Sequence, residues 1–176
     1  MGRICGRPSQ GHCPRGNCLL SDSDLVEVRL IGIPLSLHRL ASEHQDGLKR
    51  EFAFLAGQAD ADPTGIPARL LTLSRELQEN FQSFSSGPAA ELDEALNAGE
   101  EQIDLLFLVP PSAAGAARLL ADLLEEADAY CLTGKDLLTL VAPGHIVTYR
   151  NWFLDEFVRQ INGERPRPWS AVQQSA

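Results

Sequence analysis

The sequence predicts an α/β domain: a small, mostly parallel sheet of three or four strands, covered by four to five helices. Three observations predict it. A short apolar run closed by proline occurs three times, at 28–33 before Pro34, at 103–109 before Pro110 and Pro111, and at 137–142 before Pro143. Proline stops a strand because it lacks the ladder N–H, and it opens a helix because its fixed φ suits the first turn. Between the runs, apolar residues recur at helical spacing. The second run is almost wholly apolar after Asp104, as expected of a strand covered on both faces.

The elements follow in order. Residues 1–23 read as a flexible leader, and the patterned chain begins only at about Asp24, which allows a natural start later than Met1. One domain spans 24–163, and 164–176 is a Pro/Arg/Trp tail. After the first strand, Leu37, Leu40, Ala41, His44, Leu48, Phe52 and Leu55 mark a helix ending near Gly57. A loop leads to a second helix with Ile66, Leu70, Leu73, Leu77, Phe81 and Phe84 on one stripe. Gly87-Pro88 is expected to break it, leaving a third helix over 89–97. Ala117, Leu120, Leu124, Ala127 and Cys131 define the next helix, and Gly134 caps it. A strand, a helix and a strand in this order make a right-handed parallel crossover. The last helix runs from His145 to Ile161 with Ile146, Tyr149, Phe153 and Phe157 on its stripe.

Composition bounds the function more than it identifies it. With 176 residues the chain suits one domain with its own core. The net charge is −9, and Arg3, Arg7 and Arg15 stand within residues 1–20, which hold no acid, so the body is strongly acidic. Such a body repels phosphate backbones, which argues against nucleic-acid binding. No apolar stretch reaches the length of a membrane span, and no secretory signal is present, so a cytoplasmic location is expected.

Chemistry-bearing motifs are sparse. Cys5, Cys13, Cys18 and His12 have spacings unlike structural zinc sites, and Cys131 reads as a small buried apolar residue. Asp60 and Asp62 lack the further oxygen ligands and closing glutamate of a calcium loop. His38 and His44 are six apart and do not share a helix face; His44 belongs to the core edge. Gly144-His145 is no P-loop, and His145 has neither a nucleophile nor a carboxylate tied to it by spacing. No metal, cofactor or catalytic residue is therefore assigned. Glu76-Leu77-Gln78-Glu79-Asn80 fits the E-L-x-x-N pattern of histidine-kinase-like ATPases, without the glycine-rich segment that completes their nucleotide site. A degenerate nucleotide-binding domain is the alternative this leaves.

Two stretches, VEVRLIGIPLSLHRLASEHQDGLKREFAFLA at 26–56 and EADAYCLTGKDLLTLVAPGHIVTYRNWFLDEFVRQINGERPRPW at 126–169, resemble the opening and ending of small uncharacterised actinobacterial proteins. Those proteins are encoded near partner-switching components: anti-sigma kinases, STAS-domain antagonists and PP2C-type phosphatases. The resemblance implies a non-enzymatic regulatory protein in sigma-factor or stress signalling that binds one of them. The last helix carries more aromatic mass than one stripe needs. Either its aromatics all pack the core, or Trp152 joins Arg150 and Arg159 in an outward patch. Arg150, Trp152, Arg159 and Trp169 are the expected partner-binding residues, because tryptophan and arginine are common interface anchors. Trp169 after two prolines must dock somewhere, and its own domain is the expected place.

Overall fold

The computed structural model describes residues 25–58, 62–132 and 141–174. Its elements are β1 (Val26–Pro34), α1 (Leu35–Ala56), α2 (Ile66–Ala98), β2 (Gln102–Val109), α3 (Ala113–Leu132), α4 (Gly144–Ile161) and α5 (Trp169–Gln173). Pro34 and Pro143 stand directly before α1 and α4, and only Ser112 separates Pro111 from the start of α3, positions that suit their fixed φ. The sheet, however, departs from expectation. Among the described residues it has two strands, and they are antiparallel. The protein is mostly helical, which corrects the mostly parallel α/β architecture of three or four strands.

Two local features explain the difference. The helix expected over 89–97 is not separate, because α2 runs through Pro88 to Ala98. Pro88 removes one intrahelical hydrogen bond, but Pro88, Leu92 and Ala95 are all buried on the same stretch, so tertiary packing overrides the local break. The chain between the strands is therefore a two-helix hairpin. It delivers the start of β2 back to the end of β1, where the Leu35 N–H donates to the Glu101 carbonyl at 3.0 Å. A strand starting there can pair with β1 only by running back along it. Of the expected third strand, residues 137–140 lie outside the described residues, and Val141 and Ala142 have no strand conformation. The leader with its cysteines also lies outside them.

Register runs from Val26 opposite Val109 to Leu30 opposite Leu105, then shifts before Ile33 meets Ile103. The shift is a bulge. Gly32 takes φ +71°, a conformation glycine adopts without a Cβ penalty, and its N–H donates to Asp104 Oδ1 at 2.6 Å. Asp104, the one polar residue between Ile103 and Val109, thus satisfies the extra backbone group that the bulge leaves unpaired.

Four helices close a ring by successive contacts of α1 with α2, α2 with α3, α3 with α4, and α4 with α1. Two apolar clusters fill the molecule. One joins the inner face of the ribbon (Val28, Leu30, Leu105, Phe107) to Tyr149 and Trp152 of α4 and to Trp169. The other joins Leu48 and Phe52 to Leu70, Leu73, Leu124 and Ala127 between α1, α2 and α3. The ribbon's other face is open, so β2 is not covered on both sides. Leu106 and Leu108 are 44% and 47% exposed.

Candidate functional site

The expected patch on α4 is not an outward patch. Trp152 is 2% exposed, and its indole N–H donates to the Arg167 carbonyl at 2.8 Å. Trp169 is buried against it with ring centroids 5.3 Å apart, and Tyr149 closes the aromatic group. The tail therefore docks on its own domain. Arg150 is held by Asp128 at 2.6 Å, with both side chains mostly covered. Arg159 bonds Glu156 and Glu164, each at 2.9 Å. Of the four residues, the two tryptophans are core and the two arginines are occupied by carboxylates.

What the periodicity did not show is a buried polar network beside them. Glu156 is 0% exposed and accepts from Arg159 Nη1, Gln160 Nε2 and the Arg167 backbone N–H, each at 2.9 Å. Gln160 in turn receives the Arg29 N–H at 2.9 Å and donates to the Arg29 carbonyl at 2.8 Å. Its amide imitates a neighbouring strand and seals the outer edge of β1 at that point. A clue was present in the sequence, since Glu156, Arg159 and Gln160 share one helix face. Their long-range partners Arg29 and Arg167 were not readable from it.

The sealing of β1 fixes what β2 presents. Arg29 spends its N–H and carbonyl away from β2, so it forms a non-hydrogen-bonded pair with Leu106 opposite. Leu106, and by alternation Leu108 opposite Glu27, therefore aim their own N–H and carbonyl groups at the outer edge of β2. No strand pairs with that edge among the described residues. One edge is capped by a glutamine, and the other carries two exposed leucines whose backbone groups have no strand partner among the described residues.

A second feature lies inside the helical ring. A cavity of about 180 Å³ is lined by α1, α3 and α4, mostly with carbon, among them Ala41, Leu48, Leu120, Leu124, Ile146 and Phe153. Its polar lining includes a chain of three side chains. His38 Nδ1 lies 2.7 Å from the Tyr149 hydroxyl, and Ser42 Oγ lies 3.3 Å from His38 Nε2. His38 and Ser42 are one helical turn apart, which the sequence could have shown; Tyr149 comes from α4. Arg150 and His44 also line this cavity. Burial pushes the Tyr149 hydroxyl far above its ordinary pKa, so it stays protonated.

Burial also holds the His38 imidazole below its ordinary pKa, with the Asp93 carboxylate pulling weakly the other way. The unfolded chain then takes up a proton near pH 6.5 more readily than the folded one, at about the ordinary histidine value. This contribution to stability is complete above about pH 6.5 and is lost as the pH falls below it. Melting curves at pH 7.5 and 5.5 should show wild type losing more than a His38→Gln variant. Equal losses would place the pH sensitivity elsewhere.

The remaining sequence candidates do not gather. His145 is exposed on the first turn of α4, and Glu76, Glu79 and Asn80 are exposed on α2. Asp62 accepts from the backbone N–H and hydroxyl of Thr64, at 2.8 and 2.7 Å, while Asp60 lies outside the described residues. Cys131 is buried, and desolvation raises its thiol pKa, the reverse of an activated nucleophile. No group of metal-ligating side chains occurs among the described residues. None of their helices is long and apolar enough to cross a membrane. In comparison with known proteins, no family model matches the chain, and neither does any curated protein or solved structure.

Proposed function

We propose that the protein is a non-enzymatic regulatory module that binds another protein, and that the contact is the outer edge of β2 rather than the last helix. The observation that carries this reading is the asymmetry of the ribbon. Folded proteins protect sheet edges, because unpaired backbone groups invite a further strand. Here Gln160 protects β1, while β2 offers Leu106 and Leu108 with outward backbone groups. An extended segment of a partner would gain main-chain hydrogen bonds from this edge, and its alternate apolar side chains would cover the two leucines. The resemblance at 26–56 and 126–169 makes a STAS, anti-sigma or phosphatase protein the first partner to test, and a cytoplasmic site of action goes with it. The acidic body supports a protein partner over a nucleic acid.

The test is a double substitution, Leu106→Lys with Leu108→Lys, because lysine blunts a strand edge without entering the core. Its melting curve should stay within a few degrees of wild type, as expected for about 0.5 kcal/mol per surface site. Titration calorimetry against the purified STAS, kinase and phosphatase proteins of the same genome should show one binder, and the variant should lose it. The reading fails if none of the three binds, or if the variant binds like wild type. It fails as well if the edge serves a second copy of this chain, seen as a concentration-dependent dimer that the substitutions abolish.

A further inference from the structure

We propose that the cavity between α1, α3 and α4 is a binding site for a small neutral molecule, an apolar ring or short chain carrying one carbonyl acceptor. The size sets the first bound. An apolar cavity of roughly 150 Å³ already accepts benzene, so about 180 Å³ suits a ring with a short polar substituent. Beyond Leu120, Phe153 and Leu154, which line both spaces, lies a second cavity of about 320 Å³ between α2, β2, α3 and α4. Phe81, Phe84, Phe107 and Phe157 are among its lining residues, so a longer apolar tail has somewhere to go.

The polar lining sets the head group. Tyr149, neutral His38 and Ser42 carry three exchangeable hydrogens in their chain, a phenol O–H, one ring N–H and a hydroxyl O–H. Their two mutual hydrogen bonds use two of the three. If the ring proton is on Nδ1, it goes to the tyrosine oxygen, serine donates to Nε2, and the Tyr149 hydrogen is left. If it is on Nε2, the Ser42 hydrogen is left instead. Either tautomer leaves one hydroxyl hydrogen unused within the chain, on buried Tyr149 or on half-buried Ser42. Arg150, whose guanidinium bonds Asp128 through Nη2, adds another, because its buried Nε–H has no partner among the described residues. The lining residues therefore carry a hydroxyl hydrogen not used within their chain and a buried Arg150 Nε–H without a partner among the described residues, and a buried donor without a partner is costly. A ligand oxygen would relieve that cost.

Charge decides between a carbonyl and a carboxylate. Asp128 already neutralises Arg150 at 2.6 Å, and burial keeps His38 uncharged. A carboxylate would find no free counter-charge on Arg150 or His38, which makes it more costly to bury there than a neutral oxygen. This site is independent of the edge of β2 and shares no residue with it.

Three probes of one shape separate the terms: acetophenone, ethylbenzene without the acceptor, and benzoate with a charged one. Each is titrated into the full chain by NMR, with nuclear Overhauser effects locating the ring. Acetophenone should saturate at one per chain, with contacts to the methyls of Leu120, Leu124 and Ile146. Ethylbenzene should bind roughly tenfold more weakly, and benzoate more weakly still. Leu120→Trp, which fills the space, should abolish the saturable contacts. The proposal is overturned by no saturable binding, or by contacts that lie elsewhere. It is equally overturned by ethylbenzene binding within about twofold of acetophenone, or by tighter binding of benzoate. Because these readouts come from the wild-type chain, they decide the matter even if Leu120→Trp does not fold.

Discussion

Replacing Trp152 with alanine is expected to lower the melting temperature by on the order of 10 °C. The indole is 2% exposed and packs against Tyr149, Phe153 and Trp169, with centroids 5.8, 6.5 and 5.3 Å away. Truncating a buried tryptophan costs about 3–5 kcal/mol, through lost transfer energy and the cavity left behind. Each kcal/mol moves the melt by roughly 2–4 °C for a chain of this size. The Arg167 carbonyl also loses its donor, so the docking of 164–174 should loosen with it. Trp152→Phe separates the two effects: it keeps most of the packing and removes the hydrogen bond, at about 1–2 kcal/mol. An alanine variant melting within 2 °C of wild type would mean that Trp152 is a surface residue after all.

Glu156→Ala is the second substitution with a large expected effect, a loss of about 3–5 kcal/mol. Its carboxylate is the hub on which α4, the tail and, through Gln160, β1 converge. Removing it leaves Arg159 Nη1 and the Arg167 N–H without their acceptor, and a buried donor left unsatisfied carries its full desolvation cost. Glu156→Gln keeps the shape but turns an N–H₂ toward groups that are themselves donors. It should fall between wild type and alanine. Chemical denaturation measures both, and a change in midpoint at constant slope would assign the loss to stability alone. An alanine variant within 1 kcal/mol of wild type would remove Glu156 as the organising residue.

Much of the local structure was legible. The stripe through Leu48 and Phe52 marked α1, the stripe through Leu124 and Ala127 marked α3, and Pro34, Pro110 and Pro143 marked where helices start. These are short-range effects, settled by a proline ring or by 3.6-residue spacing. Pro88 obeys the same chemistry and was misleading, because its burial beside Leu92 and Ala95 outweighs one missing hydrogen bond. That single residue changed the count of helices between the strands; the parallel expectation rested instead on a strand over 137–142, of which Val141 and Ala142 have no strand conformation.

The candidate site was less legible, because the contacts that assemble it, beyond local pairs such as His38 and Ser42, are meetings of residues far apart in the chain. Tyr149 and His38 are brought together across the bundle, as are Arg150 and Asp128, and Gln160 and Arg29. Aromatic richness in α4 gave no sign of which side the rings would face. Packing settled it by turning Trp152 and Trp169 toward each other.

By itself, then, the sequence determined an acidic body, five of the seven described elements (β1, α1, β2, α3 and α4) to within a few residues, and helix starts set by proline. Those properties are fixed by composition, by side-chain periodicity and by the proline ring. Only the tertiary structure decided that the ribbon is antiparallel, that Gln160 seals its β1 edge while its β2 edge has no strand partner among the described residues, and that a polar chain lines a cavity inside the helices. Each of those depends on where a helical hairpin returns the chain and on which buried groups find partners, and no local pattern encodes either.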